Sequence, residues 1–238
     1  HRVDRRQRQM CIRDRCTRSR EEMTTMTDNL ISYFAKAGVN VLVIAGASSI
    51  FKAYEGAYAT ISPDPEDIII FCHDDIEIRE KPEVFLNFLK GTLENEETGF
   101  VGAAGTTLLN EDPIWWDQNN HRRGFHRGRV AHITPEGEEY ETFFGPAGDV
   151  VVLDGLFLAA KPKVIEDIGL KKPDYFVGEW DFYDIHYTSQ AFLKGYINKA
   201  IHFNIFHNSR GELVGRESWH QNKELFRLNT SLPLQLHI

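Results

Sequence analysis

The chain has little of what would mark a secreted, membrane-spanning or nucleic-acid-binding protein. Only three of its 238 residues are cysteine, and two of those, Cys11 and Cys16, lie in the first twenty positions. A body that holds Cys72 alone cannot build a disulfide framework, so a reducing compartment, and hence a cytoplasmic location, is expected. Long apolar runs are missing. The longest, Val39 to Ala47, falls far short of the roughly 18 residues a membrane-spanning helix needs. A basic N-terminus is not followed by the apolar stretch of a signal peptide. Internal repeats and low-complexity linkers are absent too. With 42% hydrophobic residues, the composition is that of an ordinary globular core, and the length suits one α/β domain.

Positive charge is scarce outside the leader. The net charge of −8 hides a basic N-terminus with eight Arg (Arg2, Arg5, Arg6, Arg8, Arg13, Arg15, Arg18, Arg20) against Asp4 and Asp14. Without that leader, 19 basic residues face 33 acidic ones, so the body stands near −14. An acidic body argues against nucleic acid as a partner. An Arg-rich arm can bind nucleic acid or anionic lipid, but Arg5 to Arg15 also resembles a translated sequencing adapter. Residues 1–22 are therefore read as a leader, non-native or disordered, and 23–238 as a single domain. The native sequence is expected to begin after Arg20 and to be truncated there.

What the body does have is a clear alternation of elements. Thr27 to Ala37 places Leu30, Ile31, Phe34 and Ala35 on one helical face, and Gly38 stops it. Val39 to Ala45 reads as a buried strand, and Ser48 or Ser49 caps a helix through Phe51, Tyr54 and Tyr58. A second buried strand, Ile68 to Cys72, is followed by a helix opened by Pro82 and a strand over Phe100 to Ala104. Asn110 to Glu141 is long and polar and reads as a functional loop. Val150 to Ala160 is a strand interrupted at Asp154-Gly155. Asp181 to Lys194 is a helix, Ile197 to Phe206 a strand, and Trp219 to Phe226 a terminal helix. The order βαβαβ followed by mixed elements gives the α/β class.

The chemistry concentrates where an apolar run meets charge. Ile68 to Cys72 is apolar throughout, as in a strand buried on both faces, and it runs into His73-Asp74-Asp75. Ligands of open α/β sheets bind at the C-terminal ends of such strands. Two adjacent carboxylates repel unless a cation or donors compensate, and a hard divalent ion is the simplest compensator. His207 ends a later strand, and a neutral imidazole can complete such a site for Mn²⁺. Asp181 suits a helix N-cap, whereas Asp184, three residues on, can act as a general base if a substrate hydroxyl lies in reach. Asp154-Gly155 inside an apolar strand marks a bulge or the close approach of a ligand. Trp115 and Trp116, with His121, Arg122, Arg123 and His126 nearby, supply aromatic faces for a sugar or base and cations for phosphate.

Taken in order, these pieces resemble a glycosyltransferase-like family related to glycosyltransferase family 2, the group that includes streptomycin-biosynthesis-type transferases. The pieces are Ser49 to Tyr54, Phe71 to Asp75, Val101 to Gly105, Trp115-Trp116, Val152 to Ala159, Phe182 to Asp184 and His207 to Gly211. The resemblance implies a GT-A fold, a Rossmann-like nucleotide-diphospho-sugar transferase with a mixed sheet flanked by helices. Its first strand is expected to be missing here. It further implies a metal-dependent, inverting transferase that moves a sugar from a nucleotide-diphosphate donor to a glycan or other hydroxyl acceptor, with Mn²⁺ or Mg²⁺ as cofactor. Asp75 and His207 would hold the metal. Asp184 would be the catalytic base, with Asp181 the second catalytic candidate. Asp74, Asp154, Gly155, Trp115, Trp116 and Arg210 would contact donor or acceptor. Tyr183 stands where relatives carry the Glu of a Glu-Asp pair. Two other readings compete: a non-catalytic carbohydrate- or nucleotide-binding module, and a nucleotidyltransferase, whose early Gly-rich basic loop is not found.

Overall fold

The structure, a computed structural model, describes residues 10–15, 25–134, 136–208 and 216–236. The first half alternates strand and helix: β1 (Met10–Arg15), α1 (Thr25–Lys36), β2 (Asn40–Ala45), α2 (Ile50–Ile61), β3 (Ile69–Cys72), β4 (Ile76–Ile78), α3 (Pro82–Leu93) and β5 (Thr98–Gly102). Shorter pieces follow: β6 (Ala104–Thr106), β7 (Leu108–Leu109), α4 (Gln118–Arg122), β8 (His126–Ile133), β9 (Glu139–Gly145), β10 (Gly148–Val150), β11 (Val152–Leu153) and β12 (Phe157–Ala160). The chain closes with α5 (Pro162–Ile168), α6 (Tyr183–Leu193), β13 (Ile197–Ala200), β14 (Ile205–His207), α7 (Glu217–Asn229) and β15 (Leu234–Gln235).

Two sheets carry the site. The larger has the order β10-β13-β5-β12-β3-β1-β2. In it β3, β1 and β2 run parallel, whereas β12 runs antiparallel to both β3 and β5. The smaller has the order β11-β6-β8-β14-β4, with β9 added on β8. Every residue of β3 and of β12 is buried, which is why their sequences are apolar without alternation. The helix signals are realised locally. Ser49 caps α2 by accepting from the Lys52 N–H, and Pro82 occupies the first turn of α3.

Three expectations need correction. The first strand is present: Met10–Arg15, assigned to the leader, lies between β2 and β3 and pairs in parallel with both. A slot between two parallel strands is filled through main-chain hydrogen bonds, so a charged sequence does not forbid it. Asn110 to Glu141 is not a structureless loop, because it holds α4, β8 and the start of β9. Polar residues hid that hairpin, whose charges pair across strands, as Arg129 does with Glu141 at 3.5 Å. Finally, Ile197 to Phe206 is two strands in two sheets, β13 and β14.

A single buried amide ties the larger sheet to α6. Asn198, fully buried, accepts from Phe100 N–H at 2.9 Å and donates to the carbonyls of Val151 (2.9 Å) and Thr188 (2.8 Å). Replacing Asn198 with Ala strands three buried backbone groups at once. At about 1–3 kcal/mol for a buried group left unsatisfied, the expected loss is at least about 3 kcal/mol, readable by urea unfolding.

Candidate active site

The site forms where β3 ends. His73, the first residue past the strand, donates its backbone N–H to Leu156 O at 2.9 Å, which pins the turn to the head of β12. The chain then turns through Asp74 and Asp75 into β4. Strand β14 lies antiparallel to β4 with His207 opposite Ile76, and Asn208 N–H donates to Asp75 O at 2.9 Å. This pairing carries His207, distant in sequence, to the turn. His207 Nε2 lies 3.3 Å from Asp75 Oδ1, and His73 Nδ1 lies 4.0 Å from the same oxygen. One ligand atom from each of His73, Asp75 and His207 falls within 4.8 Å of the others. The 3.3 Å approach is a charge contact off the line of a well-formed hydrogen bond, so Asp75 Oδ1 is buried without a hydrogen-bond partner among the described residues.

The electrostatics of the three groups are linked. Burial works to raise the Asp75 carboxyl, but the contact and charge of His207 and the charge of His73 outweigh it and hold the carboxyl at about 2. Burial lowers His207, and the Asp75 carboxylate more than reverses this. His73 is lowered by burial and by the charge of His207, against the pull of Asp75, so its imidazole is neutral. A neutral imidazole beside an ionised carboxylate is the state in which both can ligate a metal.

Asp184 stands in the first turn of α6. The break between β11 and β12 lets this helix approach. Gly155 N–H donates to Asp184 Oδ2 at 3.0 Å, and Leu153 N–H donates to Thr188 Oγ1 one turn on. A Cβ on Gly155 would meet the Tyr183 hydroxyl at 2.2 Å and Asp184 Cβ at 2.9 Å, so only glycine admits both. Asp154 accepts the Leu156 N–H at 2.9 Å in a short Asx turn. Burial, reinforced by the Asp154 charge, raises the Asp184 carboxyl to about 7.

The other candidates from sequence divide. Asp74 lies half-buried in the turn beside Asp75. Asp181 does not cap α6: the N-cap is Phe182, held at φ 67°. Asp181 is buried instead against the start of α7, where Ser218 donates to it at 2.6 Å and Arg216 lies 3.9 Å away. One of its oxygens accepts the Ser218 hydroxyl and the other faces Arg216, so the side chain joins two segments. Trp115 is only 3% exposed and makes T-shaped contacts with Trp116, His126 and Phe144. Its faces belong to the core and are not open to a sugar, whereas Trp116, 36% exposed and 5.8 Å from Trp219, keeps an open side. Arg210 lies outside the described residues. Two site residues escaped the sequence: His73, which looked like a spacer before two acids, and His132, paired in register with His207 and 6.2 Å from it ring to ring. The parallel β8–β14 pairing that brings His132 there leaves no local signal.

The structure thus sets an acid–imidazole cluster at a strand end of a mixed α/β fold. Residues 20–203 match the Glycosyltransferase like family, and the chain belongs to that family. It is a glycosyltransferase. No curated protein matches it. Among solved structures, GalNAc-T7 with UDP, GalNAc and Mn²⁺ is similar at a TM-score of 0.52 and 7% identity, over 93% of this chain and 48% of that one. The chain thus spans about half of that protein's length, and the likeness establishes the GT-A fold alone. A197 from STIV is similar at a TM-score of 0.48 and 14% identity, over 85% of this chain and 86% of that one. Among the described residues, no helix is long and apolar enough to cross a membrane.

Proposed function

We propose that this protein is a metal-dependent, inverting glycosyltransferase that uses a nucleotide-diphosphate sugar and a glycan or other hydroxyl acceptor. The observation that carries the reading is the buried Asp75 Oδ1 just past the end of β3, with one imidazole nitrogen 3.3 Å and another 4.0 Å away. Two nitrogens and one oxygen fit a divalent ion. They suit Mn²⁺ better than Mg²⁺, which prefers an all-oxygen octahedron. His73, Asp75 and His207 would hold that ion, and bound there it supplies positive charge against the leaving nucleoside diphosphate. GalNAc-T7, of the same fold, holds UDP and Mn²⁺, which favours UDP as the donor nucleotide.

Asp184 is the base in this reading. A carboxyl raised to about 7 is half-ionised near neutral pH and basic enough to take a proton from an acceptor hydroxyl. Attack by that hydroxyl on the face opposite the leaving group inverts the anomeric centre. The backbone N–H of Gly155 orients the Asp184 carboxylate, and Trp116 offers an open ring for the acceptor. The scarcity of cysteine in the sequence favours a cytoplasmic setting. The acidic net charge argues against nucleic acid as a partner.

Chelation tests the metal. Turnover of UDP-sugars, followed as UDP release, is expected to fall roughly 10³-fold in EDTA, a loss of several kcal/mol of transition-state stabilisation. Mn²⁺ is expected to restore it better than Mg²⁺. Undiminished turnover in EDTA would remove the metal from the reading.

A further inference from the structure

Tyr183 occupies the position at which the resemblance expects a Glu, and that departure has a structural counterpart at the metal-ligand cluster. The Tyr183 hydroxyl lies 2.8 Å from His73 Nε2 and 3.1 Å from Gly155 O. A hydroxyl has one hydrogen to donate, and a carbonyl can only accept. If the hydrogen goes to Gly155 O, His73 Nε2 must carry its own hydrogen and donate to the Tyr183 oxygen. All three groups are then satisfied. If the hydroxyl donates to Nε2 instead, Gly155 O loses its partner and the imidazole hydrogen moves to Nδ1. There the nearest carboxylate oxygen, Asp75 Oδ1, is 4.0 Å away, too far for a hydrogen bond. The first arrangement wins on the hydrogen-bond count.

It also leaves His73 Nδ1 bare, 4.0 Å from Asp75 Oδ1, the oxygen that His207 Nε2 approaches at 3.3 Å. Two acceptor atoms at that separation can share a cation. We propose that Tyr183 is a positioning residue of the metal centre, holding His73 in the Nε2–H tautomer so that Nδ1 is presented to the ion beside Asp75 and His207. The ring has no slack in which to do otherwise. It is 7% exposed, packs edge-on at 5.8 Å against Tyr54, and its hydroxyl fills the space that a Cβ on Gly155 would occupy. The Tyr at this position is thus not a defective acid. It is the hydrogen-bond acceptor that fixes the orientation and tautomer of a metal-binding histidine.

The proposal rests on the metal-dependent reading, and two measurements separate them. The first is titration of Mn²⁺ alone, followed by loss of the electron paramagnetic resonance signal of the free ion. Tyr183→Phe keeps the ring and removes only the hydroxyl. It is expected to weaken Mn²⁺ binding about tenfold or more, and to change nothing further in a His73→Ala background, because it acts through that imidazole. Mn²⁺ affinity equal to wild type in Tyr183→Phe overturns the proposal. A wild-type chain that takes up no Mn²⁺ overturns the metal-dependent reading and this use of Tyr183 with it. The second is the ¹⁵N spectrum of His73 in the wild-type protein without metal, which does not depend on how any variant folds. A protonated Nε2 and a bare Nδ1 are expected, and a hydrogen on Nδ1 would refute the proposal even if the site binds Mn²⁺.

Discussion

Asp75→Asn is expected to reduce sugar transfer by roughly 10³-fold or more and to abolish Mn²⁺ uptake while leaving the fold intact. The oxygen at stake is buried, ionised down to about pH 2 and flanked by two imidazoles. An amide of the same shape cannot supply the charge that holds a cation there, and losing several kcal/mol of leaving-group stabilisation corresponds to a factor of this size. The effect on stability is small and its sign is fixed. A carboxyl whose folded value is depressed contributes stability that is present above its ordinary value near 4 and is lost as pH falls toward about 2. The Asn variant therefore gives up a modest contribution at neutral pH, and its melting temperature is expected to fall by a few degrees at most. Transfer activity retained within a few fold of wild type would remove Asp75 from the site.

Asp184→Asn is expected to separate activity from stability. As the base, Asp184 contributes on the order of 10²- to 10⁴-fold, so transfer falls by that factor while nucleotide binding stays unchanged. The pH profile gives a sharper check. A base works only when ionised, so wild-type activity should rise with pH through about 7 and then level off, and the limb at about 7 should vanish in the variant. Stability moves the opposite way. A carboxyl raised by burial stabilises the fold fully below its ordinary value, and that contribution is lost as pH rises through about 7. At pH 8 wild type carries a buried charge beside Asp154, and the Asn variant does not. The variant is therefore expected to melt higher than wild type at pH 8 and close to it below the ordinary carboxyl value near 4. Equal melting under both conditions would mean that the carboxylate is better solvated than its surroundings indicate.

The parts of the site that were legible in the sequence are those where composition changes abruptly along the chain. The apolar run of β3 ending at His73-Asp74-Asp75, and the interruption of β11–β12 at Asp154-Gly155, are local patterns with one structural solution each. His207 was legible as the end of a strand, although the strand that reaches it is β14 alone and not a continuation of β13. The acid–imidazole cluster depends on strand pairing. The antiparallel β4–β14 register brings His207 to Asp75, and the Tyr183 and Leu156 contacts hold His73 beside them. Asp181 shows how a sound local rule can be overridden. Its position suits an N-cap, but Phe182 takes the left-handed backbone at the start of α6, and Asp181 is left to hold α7. Trp115 and Trp116 look alike in sequence, yet one is core and the other half-open, a difference set by Phe144 and His126 from the hidden β8–β9 hairpin. β1 was missed because its sequence is charged and the slot it fills recognises main chain.

The most direct test of a metal-dependent donor site is a calorimetric titration of UDP, with GDP as comparison, into the full chain in Mn²⁺ and again in EDTA. Micromolar binding of UDP that requires Mn²⁺ is expected, with GDP weaker. Binding of equal strength in EDTA, or no binding of either nucleotide in Mn²⁺, would contradict a donor site built on His73, Asp75 and His207.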